Sequence, residues 1–324
     1  MNSVLINGLG RYVGGPSTPL SVVNVQPGLR YRFRVVAMSC DSSFNFTIDG
    51  HRMSIIEVDG NEVDPVEVDS LLILAGQRYS VVITANQTAG NYWIRALSNV
   101  PNASFDGGQN MAILRYEGAP NQDPTSAPGP YELSFDEGNL HPLIDPGAPG
   151  VPEIGKADVN IQLAPGINSA ALFTFNDVTY IPPTVPVLLQ ILSGARDASQ
   201  LMPNGSVYVL PSNKVIELSF PNPAAAPGGP VCATFVQGYF MLILCGLLFS
   251  TLFICMAYVI YSIFFVSNET FFQHAFDVVR VAGSNVTNFV NPVRRDVVSI
   301  GTSATDSVTI RFVTNNPGPW FLHW

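Results

Sequence analysis

At 324 residues, with 47% apolar and only 12% charged side chains, the chain is long enough for two ordinary domains, each with its own core. A net charge of −9, with 15 Lys and Arg in total, excludes a nucleic-acid-binding protein, because phosphate recognition needs clustered cations. The 27 Gly and 26 Pro are spread along the whole length without a short repeat, which excludes a collagen-like chain and predicts many short strands joined by turns.

The opening NSVLINGLGRY has neither the basic start nor the apolar core of a secretory leader, so a secreted product is expected to begin elsewhere. The first strong strand signal is 29–35, where a two-residue period sends Arg30, Arg32 and Arg34 to one face and the apolar set to the other. Similar alternation predicts strands at 44–48, 79–84, 91–95, 214–220 and 307–313. Turn clusters such as Asp59-Gly60-Asn61 and Asp106-Gly107-Gly108 separate them. With no amphipathic helix of useful length, the pattern implies sandwiches or barrels. Between 118 and 155 the chain turns rich in Pro, Gly, Ala and Ser, and proline removes the ladder donors a central strand requires. This stretch reads as a linker lying along the surfaces of two β domains, 1–117 and 156–324.

Six Asn-x-Ser/Thr sequons, at Asn45, Asn86, Asn102, Asn204, Asn268 and Asn285, suit a secreted glycoprotein. Of the four cysteines, Cys232, Cys245 and Cys255 lie between 231 and 273, which leaves Cys40 alone in the β-like body. A solitary Cys in a secreted chain predicts a partner outside it. Neither His51, in Asp-Gly-His, nor His141, beside Pro142, has a second His or Cys at ligand spacing, so both read as structural.

The segment 231–273 interrupts this pattern. Its central part, 239–266, runs 28 residues without a charge, and no charge occurs between Ser219 and Asn268. About 20 apolar residues cross a bilayer, so the expectation from length is an inserted apolar, transmembrane helix. A second reading makes 231–273 retained non-coding sequence: a Val231 codon starts GT, a Gln273 codon can end in AG, and the flanks PGGP (227–230) and HAFDVVRVAGS (274–284) read as former neighbours.

SVLINGLGRY at 3–12, SCD at 39–41, IDGHRMSIIEVDG at 48–60, QRYSVVITANQ at 77–87, NYWIRA at 91–96, PPTVPVLLQILSGA at 182–195, PSNKVIELSFP at 211–221 and NPGPWFLH at 316–323 together resemble fungal laccases, which are multicopper oxidases. The resemblance covers nearly the whole chain outside 231–273. It implies an all-β fold of cupredoxin-like Greek-key barrels, with the second domain complete at 1–117 and a partial third at 156–324. The first domain is expected to be missing.

The resemblance also implies an activity, the one-electron oxidation of phenols or aromatic amines coupled to reduction of dioxygen to water. Four copper ions per complete member, held by imidazoles and one thiolate, carry it. Of the family's ligand motifs, His-Pro-Phe-His-Leu-His-Gly is replaced here by the apolar segment. His274 is similar to a histidine just beyond that motif that ligates nothing. Trp-Phe-Leu-His-Cys-His begins at Trp320, places a cluster ligand at His323, and has Trp324 where the thiolate belongs. Such a donor set predicts that copper is not retained and that the polypeptide is inactive as written.

By spacing alone Asp41 reads as a turn carboxylate in Cys-Asp-Ser-Ser. By resemblance it is the pocket carboxylate that accepts the phenol's proton, with Pro227 and Gly228 at the pocket rim and Cys40 bridging to the first domain. Location is extracellular by resemblance, or integral to a membrane if 239–266 is a true span. The alternative to an oxidase fragment is a membrane-tethered, non-catalytic cupredoxin-like module.

Overall fold

A computed structural model of the chain describes residues 4–39, 43–99, 103–144, 147–170, 172–195, 197–202, 205–221, 232–236, 262–266 and 275–323. The chain divides into two compact units, 1–144 and 145–324, with the division inside the proline-rich stretch. Strands are numbered in chain order.

In the first unit one sheet runs β1 (Val22–Val25), β9 (Met111–Tyr116), β8 (Asn91–Ser98), β3 (Phe44–Ile48) and β6 (Leu71–Ile73). The other runs β2 (Arg30–Val36), β7 (Arg78–Thr84), β4 (Met53–Val58) and β5 (Asn61–Val68). All pairings are antiparallel except β1 with β9. Each sheet buries one face. Met53, Ile55, Val81 and Ile83 from the second sheet and Ala112, Leu114 and Tyr116 from the first are fully buried. Alternation in β2 is as expected, with Arg30, Arg32 and Arg34 exposed, but Tyr31, Phe33 and Val35 are only half-buried because β2 is an edge strand.

The second unit repeats the plan. One sheet is ordered β10 (Val159–Gln162), β14 (Val215–Pro221), β20 (Ser307–Val313), β17 (Phe276–Arg280) and β18 (Arg294–Arg295). The other is ordered β13 (Val207–Val209), β16 (Ser262–Val266), β21 (Gly318–His323), β15 (Cys232–Val236) and β19 (Val297–Ser299). A hairpin of β11 (Pro165–Ile167) and β12 (Phe173–Phe175) stands apart. Two short helices, α1 (Val187–Leu192) and α2 (Ala198–Leu201), bury Val187 and Leu201 with Met202 in a satellite cluster.

Of the membrane helix expected over 239–266, only the last five residues lie in the described set, and they are strand rather than helix. Residues Ser262–Val266 form β16, antiparallel to β21 from Ser262 opposite Leu322 to Val266 opposite Gly318. Physically, Ile263, Phe264, Phe265 and Val266 are β-branched or aromatic residues that fit a pleated surface, and β21 offers a ladder of donors and acceptors to satisfy. Residues 239–261 lie outside the described set. Among the described residues no helix is long and apolar enough to cross a membrane.

The proline-rich stretch is tied down by one buried guanidinium in each unit. In the first, Arg95 on β8 donates from Nε and Nη2 to the two carboxylate oxygens of Asp49, each at 2.8 Å. Its Nη2 also donates to the Ser126 carbonyl at 3.0 Å, the Ser126 hydroxyl donates to Asp49, and the Phe105 ring lies 4.9 Å from the guanidinium carbon. In the second unit Arg311 on β20 lies directly opposite Glu217 on β14. Nε and Nη2 donate to Glu217 Oε2 at 2.9 and 2.7 Å, while the remaining N–H groups serve the carbonyls of Pro149, Val151 and Glu153. Gly155 N donates to Glu217 Oε1, and Phe289 covers the guanidinium at 4.6 Å. All five donors of a fully buried Arg311 are thus used.

Truncating Arg311→Ala strands Glu217 and three carbonyls, and is expected to destabilise the chain by about 3–5 kcal/mol. Urea unfolding followed by tryptophan fluorescence reads this loss. Limited proteolysis is expected to cut the variant near 149–155 before the wild type.

Candidate metal and substrate site

Of the metal and pocket residues expected from the sequence, His323 is the one that lies among the described residues, on β21. That strand lies between β16 and β15, with Phe264 opposite Trp320 on one side and Thr234 opposite His323 on the other. Trp320 and Leu322 are buried, and Trp320 Nε1 donates to the Asn316 carbonyl at 3.1 Å, which anchors the turn into the strand. His323 is therefore carried by an interior strand of a five-stranded sheet.

Cys40, Asp41, Pro227 and Gly228 lie outside the described residues, as do Asn102, Asn204, Asn268, His274 and Trp324. Asn45, Asn86 and Asn285 are exposed. Asn45 sits within β3 between Leu72 and Leu97, and its side chain is exposed although its chain neighbours Phe44 and Phe46 are buried.

Copper chemistry needs several imidazoles and a thiolate on one centre. Among the described residues no three His, Cys, Asp or Glu side chains come together as a metal-holding group. The second described histidine of interest, His51, is committed elsewhere. A turn through Gly50, at φ 73°, brings His51 back onto β3 with its N–H donating to the Ile48 carbonyl at 3.0 Å. Its Nδ1 lies 2.8 Å from the Asp49 carbonyl and its Nε2 2.6 Å from the Tyr116 hydroxyl. A carbonyl only accepts, so Nδ1 carries the proton and Nε2 accepts from Tyr116. The Tyr116 oxygen accepts in turn from the Gln87 N–H at 3.1 Å, and Tyr92 meets the imidazole edge-on at 5.2 Å. Every polar atom of the neutral ring is used. Burial lowers the His51 pKa below 6.5, the hydrogen bond to and charge of Asp49 opposing it, and burial raises that of Tyr116. The donor set on the described residues does not fit a copper centre.

Sequence reading did not find Asp49, Arg95 and Tyr116, nor the Glu217 and Arg311 pair. The available signal was a single charge inside an otherwise apolar strand, as in Ile94-Arg95-Ala96 and Ile310-Arg311-Phe312.

Two mainly antiparallel sheets in each unit, with parallel pairs β1–β9, β10–β14 and β13–β16, define an all-β, cupredoxin-like protein. Multicopper oxidase family models match residues 1–119 and 273–323. Laccase-2 of Pleurotus ostreatus is 49% identical over 323 residues, covering 99% of this chain and 53% of that protein. A laccase of Trametes maxima is 49% identical over 99% of this chain and 57% of its own length. Among solved structures, the laccase of Botrytis aclada superposes with a TM-score of 0.70 at 23% identity, over 98% of this chain and 54% of that one. The oxidase McoA of Aquifex aeolicus, in a variant form, gives 0.52 at 15% identity, over 98% and 56%. The chain belongs to the multicopper oxidase family, and the curated relatives it resembles are laccases. It spans about half the length of the curated relatives it matches.

The buried, neutral His51 gives a signed pH dependence. Its folded pKa lies below the unfolded value, so the unfolded chain binds the extra proton: the stability is fully present above about pH 6.5 and is lost as pH falls toward the folded pKa. Urea titrations at about pH 7.5 and 5.5 are expected to show a smaller slope in His51→Gln than in wild type, although the variant is less stable at both.

Proposed function

We propose that this chain is the second and third cupredoxin-like portion of a laccase-type oxidase, and that the polypeptide as written does not assemble the copper centres such an oxidase needs. In the complete protein the substrates are phenols or aromatic amines together with dioxygen. Asp41 is the carboxylate that takes the phenol's proton, Pro227 and Gly228 form the pocket rim, Cys40 bridges to the first domain, and His323 is a cluster ligand. The observation that carries the second half of the proposal is the donor set: among the described residues no three ligand side chains converge, and an indole stands at Trp324 where the family's thiolate would be.

Support for the role of Asp41, Pro227, Gly228, Cys40 and His323 comes from the match to laccases along 99% of the chain. An extracellular location is supported by the same relatives, and exposed sequon asparagines at 45, 86 and 285 suit glycan attachment. Secretion from a fungal host is therefore expected to give a product whose mass falls on treatment with an N-glycosidase, and whose glycopeptides include those three positions.

Metal analysis tests the copper proposal directly. The purified chain, incubated with Cu(II) and desalted, is expected to retain less than one copper per molecule and to show no intense blue absorption, because a thiolate-copper bond is its source. A stoichiometric blue chromophore, or oxygen uptake with a phenol, overturns it. Sequencing the transcript across codons 220–280 examines the same question from the gene's side: the expected message joins PGGP to a histidine-rich block followed by HAFDVV.

A further inference from the structure

Strand register gives the outer face of the four-stranded sheet in the first unit a charge gradient. Arg34 on β2 lies opposite Ser80 on β7, Ser80 opposite Glu57 on β4, and Glu57 opposite Glu62 on β5. The neighbouring row reads Arg32, Val82, Ser54 and Glu67. Each row begins on an arginine at one edge and ends on a glutamate at the other, three strand spacings or about 14 Å away. Arg30 extends the basic edge and Asp64 the acidic one, both exposed. Arg32 is neutralised by Glu57, with Ser80 bridging the two. Arg30, Arg34, Glu62, Asp64 and Glu67 are exposed and form no ion pair among the described residues. Between the charged edges stand the short side chains Ser54, Val82 and Thr84 and the Arg32–Glu57 pair that lies over buried Ser80, so another flat surface can approach.

We propose that this face is a self-association surface whose occupant is the same face of a second copy of the chain. A two-fold axis parallel to the strands lays β2 of one copy over β5 of the other, and by symmetry the reverse, so that both basic edges meet acidic edges. An in-plane axis perpendicular to the strands would set arginine on arginine. Edge-to-edge routes are closed: the free side of β5 is occupied by the proline-rich strap, through Asp64 N to the His141 carbonyl, Leu143 N to the Glu62 carbonyl and the Val63–Pro142 bridge. Pairing β2 with a second β2 would bring the two arginine ladders together. A polyanion is the poorer occupant, because the acidic edge shares the face and one of the three arginines is already neutralised. Four short strands offer only a few hundred Å² per copy, against about 800 Å² for a standard interface, so the association is weak and governed by charge.

Sedimentation velocity of the full chain tests the proposal. At about 0.02 M salt the wild type is expected to sediment faster as concentration rises, and at about 0.5 M as a monomer. Arg30→Glu/Arg34→Glu and Glu62→Arg/Glu67→Arg are each expected to raise the dissociation constant about tenfold or more, while an equimolar mixture of the two regains the association. Circular dichroism verifies folding, and Arg30→Gln/Arg34→Gln replaces a reversal variant that fails it, with a smaller weakening expected. A wild type that stays monomeric at low salt, an association that salt strengthens, or a mixture no better than its components overturns the proposal.

Discussion

Two buried guanidinium groups hold the proline-rich stretch in place, and the rest of each unit is arranged around them. Prolines cannot contribute ladder donors, and a strap that crosses a β unit still brings carbonyl oxygens that need partners. Arg95 and Arg311 supply the donors from strands whose neighbours are apolar. Each is paired with a carboxylate, Asp49 or Glu217, so that little net charge is buried, and each lies against a phenyl ring, Phe105 or Phe289. Taking two ions out of water costs several kcal/mol per ion, and these pairs recover it by using nearly every lone pair and proton in directed hydrogen bonds. Two units of different sequence thus reach the same solution to the same problem.

That solution was hidden in the sequence, although the sheets were not. Alternation at 44–48 and 307–313 marks β3 and β20 to the residue, and the strands predicted at 79–84 and 214–220 agree with β7 and β14 within one residue at each end. Period two is a local property and reads directly from the side chains. Which strand lies beside which is not local: Glu217 meets Arg311 at a sequence separation of 94, and only the register of β14 against β20 brings them together. The lone charge in each apolar strand was visible, but its partner was not.

Legibility fails differently at the candidate site. Laccase resemblance places Asp41, Pro227, Gly228 and His323, and only the last falls on a described strand. Hydropathy suggested a helix over 239–266 because an uncharged run of that length satisfies the membrane criterion whatever conformation it adopts. At 262–266 the pairing partner decided instead, since β21 has two sides and both are paired. His51 shows the converse: its neighbours in sequence give no metal spacing, and the fold explains its presence by closing the ring between a carbonyl and a phenol 65 residues away.

Arg311 reads the strap only through oxygens of the peptide groups, at alternate positions 149, 151 and 153, while the side chains of Val151 and Glu153 face water. Recognition of this kind ignores residue identity and depends on phase. The exposed side chains at 151 and 153 are free to vary, whereas Gly150, at φ 82° with an added Cβ 3.2 Å from Val215, is not, and inserting or deleting one residue would bring the wrong carbonyls to the guanidinium. The stretch that looks most dispensable by composition is therefore constrained in length, and in content at its glycines.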